Sequence, residues 1–462
     1  MACETDSWNM QYSVGRLGRM VAEIFSIHHL DGQVGNVLTG LFKYNTATTA
    51  GIAFDGEQLF VGPNGVIGFG VRSVQIGAWK KSFAKPTDIA LDEVVELPKE
   101  LGGEVIAFAL CARREAEELF VKHQIQWENE IVAFAVGKSG FGVGDAAGNF
   151  SVVRPDGTAA WSATSEGAAT VICPILDAKG QEFWVVGYDL NNVKNPESHW
   201  CLYDGAGKQL ATETCIYSRI TTIFPFHLAK KGAKGEMGFV VGSTGWMAVA
   251  YDLTGKKLWA FKCYHNMISG AAADCDGDGI DEIMLGAGYY YHQMINAEGK
   301  LLFQRSNAAW NYDTIVCDIK GDGKPVFICG REDNAVHAMT SLDRQPFPEI
   351  SPIPLGGVPV KLASCGNGFA VAVENGTVVR VGQGMKVVWS TELPSGLGGL
   401  AEHKGKIYTV CRDGFLYELD SNGKVTGKFA FETNASSPFR PVVASGAAGL
   451  AAVSNRQFII LD

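Results

Sequence analysis

Residues 250–259 read AYDLTGKKLW: an apolar strand, a turn with Asp252 and Gly255, and a second strand that reaches Trp259. Asp at a turn start can bond its own backbone, and Gly takes positive φ without steric cost, so this stretch is typical of a tight hairpin. The same pattern recurs in PDGTAAW (155–161), DGAGKQLA (204–211), NAEGKLLF (296–303) and DSNGKVTGKF (420–429). Five copies of one hairpin indicate an internal repeat.

A second apolar strand recurs through the chain and gives the repeat its length. It ends at Gly144, Gly187, Gly242, Gly286, Gly330, Val373, Cys411 and Ser454, with steps of 38 to 55 residues, most often 43 or 44. Four short strands in about 44 residues are the signature of a β-propeller blade. The sequence therefore predicts an all-β fold, a single closed β-propeller of four-stranded blades. Two similar strands, EQLFVG and EVIAFALC, lie within 57–111 and leave the blade number between eight and ten.

The two ends of the chain bear on how the ring closes. The last repeat has three strands and ends in IILD, whereas residues 18–32 (GRMVAEIFSIHHLDG) contain one strand without a partner. We therefore expect one domain over residues 1–462, in which the N-terminal segment 1–32 completes the last blade and residues 33–462 form the repeats. Closure would remove the exposed sheet edge of an open array.

Composition excludes several classes of protein. Charged residues are only 19% and hydrophobic residues 47%, which excludes a disordered chain, and 56 glycines do not fit a coiled coil. The net charge of −10 disfavours general nucleic-acid binding. No stretch approaches the ~18 consecutive apolar residues of a membrane span.

The cysteines and the N-terminus bear on the cellular compartment. The 11 cysteines occur singly, without a CxxC motif, and many lie in apparent strands, which favours buried free thiols in a reducing compartment. The first residues, MACETDSWNM, carry acids and no apolar core of a signal peptide. We therefore expect a cytoplasmic location.

The repeat in AYDLTGKKLW resembles that of the PQQ-like propellers, named after quinoprotein dehydrogenases. In that family the terminal Trp packs between neighbouring blades, and the resemblance implies this role for Trp79, Trp161, Trp259 and Trp389. The family includes quinone enzymes and non-catalytic scaffolds. Its enzymes carry a disulfide between adjacent cysteines beside the quinone, and because this chain has no adjacent cysteines we expect no PQQ cofactor.

One acidic segment has the spacing of a cation-binding turn. Residues 274–282 read DCDGDGIDE, in which oxygen ligands alternate along a tight loop and Gly279 permits a sharp turn. The pattern predicts one structural calcium ion, with Asp281 pointing away. Its expected ligands are the side chains of Asp274, Asp276, Asp278 and Glu282 and the carbonyl of Ile280. An acidic turn with solvated carboxylates is the alternative interpretation.

This segment resembles the FG-GAP-type calcium turns of integrin propellers. It is closer still to the calcium turns of family 11 rhamnogalacturonan lyases. One repeat later, residues 318–326 read DIKGDGKPV, in which Lys320 and Val326 replace two of the expected ligands. We expect no metal there, with Lys320 bridging Asp318 and Asp322 instead.

Polar and aromatic residues gather in the loops at the opposite end of the predicted blades. Concave mouths with a few convergent polar groups are common binding sites, although polar residues line almost any propeller mouth. The candidate ligand-binding residues are Arg219, His265, Asn266, Tyr290, His292, Trp310, Tyr312 and Asp313.

The functional prediction is a non-catalytic recognition or scaffold propeller for a protein or peptide partner, alone or within an assembly. It is favoured because the chain has no GxSxG, HExxH, P-loop or GxGxxG motif. The alternative is a secreted-type carbohydrate-active enzyme such as a polyuronate lyase, with His265 as base and Arg219 binding the uronate carboxylate. A third interpretation is an assembly subunit whose apolar surface packs against copies of itself. The sequence leaves catalysis and oligomeric state open.

Overall fold

The computed structural model divides the chain into two compact units, Met1–Glu115 and Ala116–Asp462. In the first unit it describes the backbone of seven strands between residues 21 and 111. In the second it describes residues 117–461, with gaps at 191–196, 216–217, 229–236, 288–290, 307–309, 340–351 and 432–441. Within this described part, no helix is both long and apolar enough to span a membrane.

The first unit is one antiparallel sheet in the order β1-β2-β3-β5-β6-β7, with β4 paired to β5. Its strands are β1 (Val21–His28), β2 (Asn36–Lys43), β3 (Thr49–Gly56), β4 (Gln58–Gly62), β5 (Gly65–Ile76), β6 (Trp79–Ile89) and β7 (Leu110–Cys111).

The second unit forms eight antiparallel sheets, the blades of a β-propeller. Blades 1 to 4 each use four consecutive strands. They are β10 (Ile131–Val136), β11 (Phe141–Asp145), β12 (Asn149–Val153) and β13 (Ala159–Thr164); β14 (Ala168–Leu176), β15 (Glu182–Asp189), β16 (Ser198–Asp204) and β17 (Gln209–Cys215); β18 (Ile220–His227), β19 (Met237–Ser243), β20 (Met247–Asp252) and β21 (Lys257–Lys262); β22 (Met267–Ala273), β23 (Glu282–Ala287), β24 (Tyr291–Asn296) and β25 (Leu301–Ser306).

Blades 5 to 7 follow the same order, and a turn of 3-10 helix, Gln383–Met385, precedes the last strand of blade 6. Their strands are β26 (Asn311–Cys317), β27 (Val326–Arg331), β28 (Ala335–Met339) and β29 (Ile353–Pro354); β30 (Pro359–Cys365), β31 (Gly368–Val373), β32 (Thr377–Gly382) and β33 (Lys386–Glu392); β34 (Leu397–His403), β35 (Lys406–Cys411), β36 (Phe415–Leu419) and β37 (Val425–Ala430). Blade 8 contains β38 (Val442–Gly446), β39 (Gly449–Ser454) and β40 (Gln457–Ile460).

The ring closes through a strand that the sequence did not identify. Strand β9 (His123–Gln126) pairs antiparallel with β40 and completes blade 8, while the first strands β38 and β10 contact each other. The expected closing segment 18–32 contains β1, which pairs with β2 instead. The physical reason is connectivity: β9 ends just before β10 begins, so a short link carries the chain from blade 8 into blade 1.

The repeat boundaries are confirmed within the ring. Each predicted strand end from Gly144 to Ser454 falls in or at the end of the second strand of a blade. The ring has eight blades. EQLFVG does not add another, since it forms β4 of the first unit. EVIAFALC lies mostly outside the described residues. That one domain spans residues 1–462 stays a prediction.

Burial follows the position of each strand within its blade. The second strands β11, β19 and β23 are almost entirely buried, since neighbouring blades cover both of their faces. The outer strands β13, β17 and β21 alternate between exposed and half-buried residues. The outermost edge of blade 7 carries one more strand, β8 (Glu117–Glu118), which pairs in parallel with β37.

Three of the four predicted tryptophans join neighbouring blades. The indole N–H groups of Trp161, Trp259 and Trp389 donate to the carbonyls of Gly205, Ala297 and Ser421 at 3.1, 2.8 and 2.9 Å. Each acceptor lies in the third–fourth turn of the next blade. In that turn a glycine with positive φ leaves room for the indole; a Cβ on Gly299, for example, would lie 2.8 Å from Trp259. The Trp79 side chain lies outside the described part of the structure, so its role stays a prediction.

Candidate functional site

The strand order divides the loops of the ring between two ends. The described first–second and third–fourth turns share one end, which we call the turn end; residues 274–281 belong to it. The second–third turns and the links to the next blade, where the structure describes them, share the opposite end, which we call the mouth end; residues 244–246 and 263–266 belong to it. The acidic turn and the candidate ligand-binding loops therefore lie at opposite ends.

The acidic turn is organised by its own carboxylates. Asp274 accepts hydrogen bonds from the N–H groups of Gly277 and Gly279 at 2.8 and 3.0 Å. Both glycines have positive φ, 84° and 89°, so the chain can wrap tightly around Asp274. The Asp278 carboxylate accepts the N–H of Ile280 at 2.8 Å. Backbone donors thus hold the loop in its turn conformation.

Three carboxylates of this turn converge. One oxygen each from Asp274, Asp276 and Glu282 lies within 4.8 Å of the other two, and among the described residues no other trio of His, Cys, Asp or Glu does so. Burial, together with the charges of the three nearby aspartates, raises the pKa of Glu282 to about 7. This donor set of hard oxygens fits a calcium ion, which would offset the mutual repulsion of the carboxylates. Asp278 is not part of the trio.

The turn is tied to the blades on both sides. Asp281 does point away from the carboxylates, as expected: it is buried and accepts from the backbone N–H and Nδ1 of His227 in blade 3, at 2.8 and 2.9 Å. On the other side, Lys324 Nζ donates to the carbonyl of Asp276 at 3.3 Å from the matching turn of blade 5.

The matching turn, 318–326, keeps the loop shape without the carboxylate trio. Asp318 accepts from the N–H groups of Gly321 and Gly323 at 2.7 and 2.8 Å, as Asp274 does in blade 4. Among the described residues, no ion pair joins Lys320 to Asp318 or Asp322, so the expected bridge is not formed. Its carbonyl instead accepts the Gln383 amide from blade 6 at 2.6 Å.

At the mouth end, three blades contribute to a row of aromatic rings. His265 stacks on Trp246, with ring centroids 5.4 Å apart and an interplanar angle of 26°. His265 also meets Trp310 edge-on, with ring centroids 6.2 Å apart. Trp246 is 44% exposed and Tyr312 is 38% exposed, so large aromatic surfaces face solvent here. We call Trp246, His265 and Trp310 the aromatic row.

The other predicted ligand-binding residues do not all join this row. Arg219 pairs with Asp189 of blade 2, Nε to Oδ2 at 3.2 Å. Asp313 is buried between blades and accepts from Lys361 Nζ and from the N–H of Leu362, at 3.0 and 2.8 Å. Its burial corrects the expectation of an open position at the mouth.

His292 is also buried between blades rather than open at the mouth, with Nδ1 3.3 Å from Met339 Sδ in blade 5. Asn266 is half-buried next to His265 in the chain. Tyr290 lies outside the described residues. Of the predicted set, the structure thus brings His265 and Trp310 into contact, and Trp246, which was not predicted, completes the aromatic row.

Sequence reasoning missed three residues at the mouth end. Trp246, Glu332 and Glu374 lie in second–third turns of blades 3, 5 and 6. Glu332 and Glu374 occupy equivalent places, since the N–H of each donates to a carbonyl just before the first strand of its own blade, at 2.9 Å. All three directly follow a second strand by one to three residues, and aligning the repeats on the ends of those strands would have revealed them.

Comparisons with known proteins establish the fold. No protein-family model and no curated protein matches the chain. It is similar to solved Saccharomyces cerevisiae Sqt1, with a TM-score of 0.59, 10% identity, and coverage of 74% of this chain and 98% of that one. It is also similar to BamB from Moraxella catarrhalis, with a TM-score of 0.55, 13% identity and coverage of 74% and 97%.

A third similar structure is BBS1N, solved in complex with ARL6DN, with a TM-score of 0.50, 10% identity and coverage of 75% and 98%. At these identities the likeness shows the β-propeller fold alone. The PQQ-like or FG-GAP type of the repeat stays a prediction.

Proposed function

We propose that this protein is a non-catalytic recognition scaffold that binds a protein or peptide partner at its mouth end. The aromatic row carries the proposal: its rings cluster at the mouth end, Trp246 is 44% exposed, and aromatic residues supply much of the binding energy of protein interfaces. At the turn end, by contrast, the tryptophans are occupied by contacts between blades. The complex of BBS1N with ARL6DN is a precedent for partner binding on this fold.

Affinity capture with matched variants tests the proposal. Trp246→Ala removes an exposed ring of the row, and Leu258→Ala removes an exposed side chain of comparable accessibility on the outer strand of the same blade. We expect a partner that wild type and Leu258→Ala retain and Trp246→Ala loses, followed by direct binding of the purified partner. Partners held equally by all three proteins would overturn the proposal.

The polyuronate lyase remains the alternative, and it makes a different demand on the mouth end. It needs Arg219 to receive a uronate carboxylate, whereas Asp189 already contacts this guanidinium at 3.2 Å. Unsaturated product released from pectic polymers by wild type and abolished in His265→Ala would support the lyase and contradict a non-catalytic role.

A structural calcium ion is the second part of the proposal. Asp274, Asp276 and Glu282 would hold it, and it would supply charge compensation that fixes the first–second turn of blade 4. The turn already contacts blades 3 and 5 through Asp281 and Lys324, so its order would support three blades together.

A cytoplasmic location is the third part. All nine cysteines of the described residues are free thiols, and eight of them are buried. Burial raises the pKa of Cys173 and of Cys329 to about 12, which keeps both thiols protonated and unreactive. Such cysteines suit a reducing compartment. Fractionation of cells producing the full chain tests this part.

A further inference from the structure

The mouth end carries one carboxylate that contacts the aromatic row, Glu332 at Trp310, and a second, Glu374, at the equivalent place in blade 6. Glu332 and Glu374 are both exposed. Glu332 Oε2 accepts the backbone N–H of Trp310 at 3.4 Å, and the N–H of Glu332 donates to the Trp310 carbonyl at 2.9 Å. Glu374 Oε1 accepts the N–H of Val358 at 3.3 Å. Burial raises the pKa of Tyr312, and the charges of Glu332 and Glu374 add to that shift.

These two carboxylates differ from their neighbours in lacking a cation. At the same end Asp189 pairs with Arg219, Asp313 with Lys361, and Asp333 with both Arg331 and His337, at 3.0 to 3.2 Å. Among the described residues, no Lys, Arg or His lies within 4.0 Å of a carboxylate oxygen of Glu332 or Glu374. A partner that covers this surface must therefore supply the counter-charge or leave two carboxylates desolvated without compensation.

The chemistry of the surface selects the counter-charge. An aromatic face attracts a cation through its quadrupole, and a guanidinium can stack on a ring while it donates to a carboxylate. An acidic or uronate ligand would meet like charges in the second–third turns of blades 5 and 6. The overall charge of −10 adds a long-range attraction for positive partners.

We propose that the mouth end binds a basic segment of a partner protein, with arginine or lysine side chains received by Glu332, Glu374 and the neighbouring aromatic rings. The inference rests on the proposed function and names the chemistry of its partner. It assigns recognition of charge to Glu332 and Glu374, and apolar contact to Trp246, Trp310 and Tyr312.

Binding of matched synthetic peptides to the full chain tests the charge preference. Three labelled peptides share one Gly/Leu framework and carry Arg, Lys or Glu at the same positions, and fluorescence anisotropy measures their affinity. We expect the Arg and Lys peptides to bind in a salt-dependent manner and the Glu peptide not to bind. The double variant Glu332→Gln/Glu374→Gln should weaken basic peptides about tenfold or more. Glu298→Gln, an exposed glutamate of the turn end, should leave their affinity unchanged.

Equal binding of all three peptides, or of basic peptides to wild type and to the double variant, would overturn the inference. So would failure of the basic peptides to bind at all. Far-ultraviolet circular dichroism of each variant checks that a loss of binding is not a loss of folding.

A displayed library of random peptides separates this inference from the proposed function. Selection on wild type with Trp246→Ala as the counter-target should enrich basic sequences that need Glu332 and Glu374. Acidic or uncharged sequences that depend on Trp246 would overturn the basic partner and leave recognition at the mouth end intact. A library without any Trp246-dependent sequence would count against both.

Discussion

The two ends of the ring use the same kinds of side chain for different purposes. At the turn end, Trp161, Trp259 and Trp389 each place an indole against the next blade and donate to its backbone. At the mouth end, Trp246 stacks on His265 and leaves 44% of its surface in solvent. The position of a tryptophan in the strand order therefore decides whether it joins blades or is open to a partner.

Particular carboxylates at the two ends show a similar contrast. At the turn end, Asp281 is buried and accepts two hydrogen bonds from His227, and Asp274 accepts two from its own loop. At the mouth end, Glu332 and Glu374 are exposed beside aromatic rings, with no cation in contact within the described part of the chain. These turn-end groups contact their own loop or the neighbouring blade, whereas the proposed recognition site lies at the mouth end.

The largest expected effect is the loss of folding when the strand that closes the ring is removed. A chain of residues 116–462 keeps β8 and β9, whereas a chain of 127–462 lacks both. We expect the longer one to unfold in one cooperative thermal transition. The shorter one should aggregate, because β40 then presents a bare edge.

Circular dichroism and size-exclusion chromatography of the two truncated chains make this comparison. Both lack residues 1–32, so identical failure of both would restore a role for the N-terminal segment in closing the ring.

The next effect is a matched pair of tryptophan substitutions. Trp259→Ala should lower the free energy of unfolding by about 3 kcal/mol, because it empties a contact between blades 3 and 4. Trp246→Ala should change it by less than about 0.5 kcal/mol, since 44% of this side chain is already in solvent and it stacks on the loop ring of His265 at the surface. Urea titration of the full-length variants measures both values. Equal losses would show that the mouth end stabilises the ring as much as the turn end does.

The sequence predicted the ring better than the way it closes. Strand ends at regular spacing along the chain, such as Gly242, Gly286 and Gly330, indicate the repeat directly. Closure depends on which strand pairs with β40, and strand propensity does not encode the partner. Residues 21–28 form the longer and more apolar strand, whereas the closing strand is only HQIQ (123–126).

The candidate site was predicted only in part, because the sequence does not show where a strand bulge redirects a side chain. Asp313 and Trp310 are near each other in the sequence, but a register shift between Asn311 and Asp313 interrupts the strand pairing. Such a bulge redirects the following side chain, and Asp313 faces Lys361 of the next blade. The acidic turn was easier to predict, since its carboxylates bond to N–H groups within the same few residues.

A smaller effect tests the metal at the turn end. Protein prepared without chelator should contain about one calcium ion, and chelation should lower its melting temperature. At a free calcium concentration of one hundred times Kd, binding would raise the free energy of unfolding by about 2.7 kcal/mol. Asp274→Asn should abolish the response, whereas Asp318→Asn, at the matching place in blade 5, should retain it.

Metal analysis and thermal scans with and without chelator provide the measurement. A calcium ion that survives Asp274→Asn and is lost in Asp318→Asn would reverse the assignment of the two turns.

The smallest effect is a shift in the titration of one ring at the mouth end. Burial and then the charges of Glu332 and Glu374 raise the pKa of Tyr312 above its ordinary value, because all three oppose the phenolate. The double variant Glu332→Gln/Glu374→Gln removes the charges and keeps the burial, so the pKa should fall without returning fully to the ordinary value. Carbon-13 NMR of labelled tyrosine, assigned with Tyr312→Phe, follows the titration, and Glu298→Gln at the turn end should leave it unchanged. A pKa that does not move in the double variant would mean that solvent screens these carboxylates from the ring, and the electrostatic contrast between the two ends would then be lost.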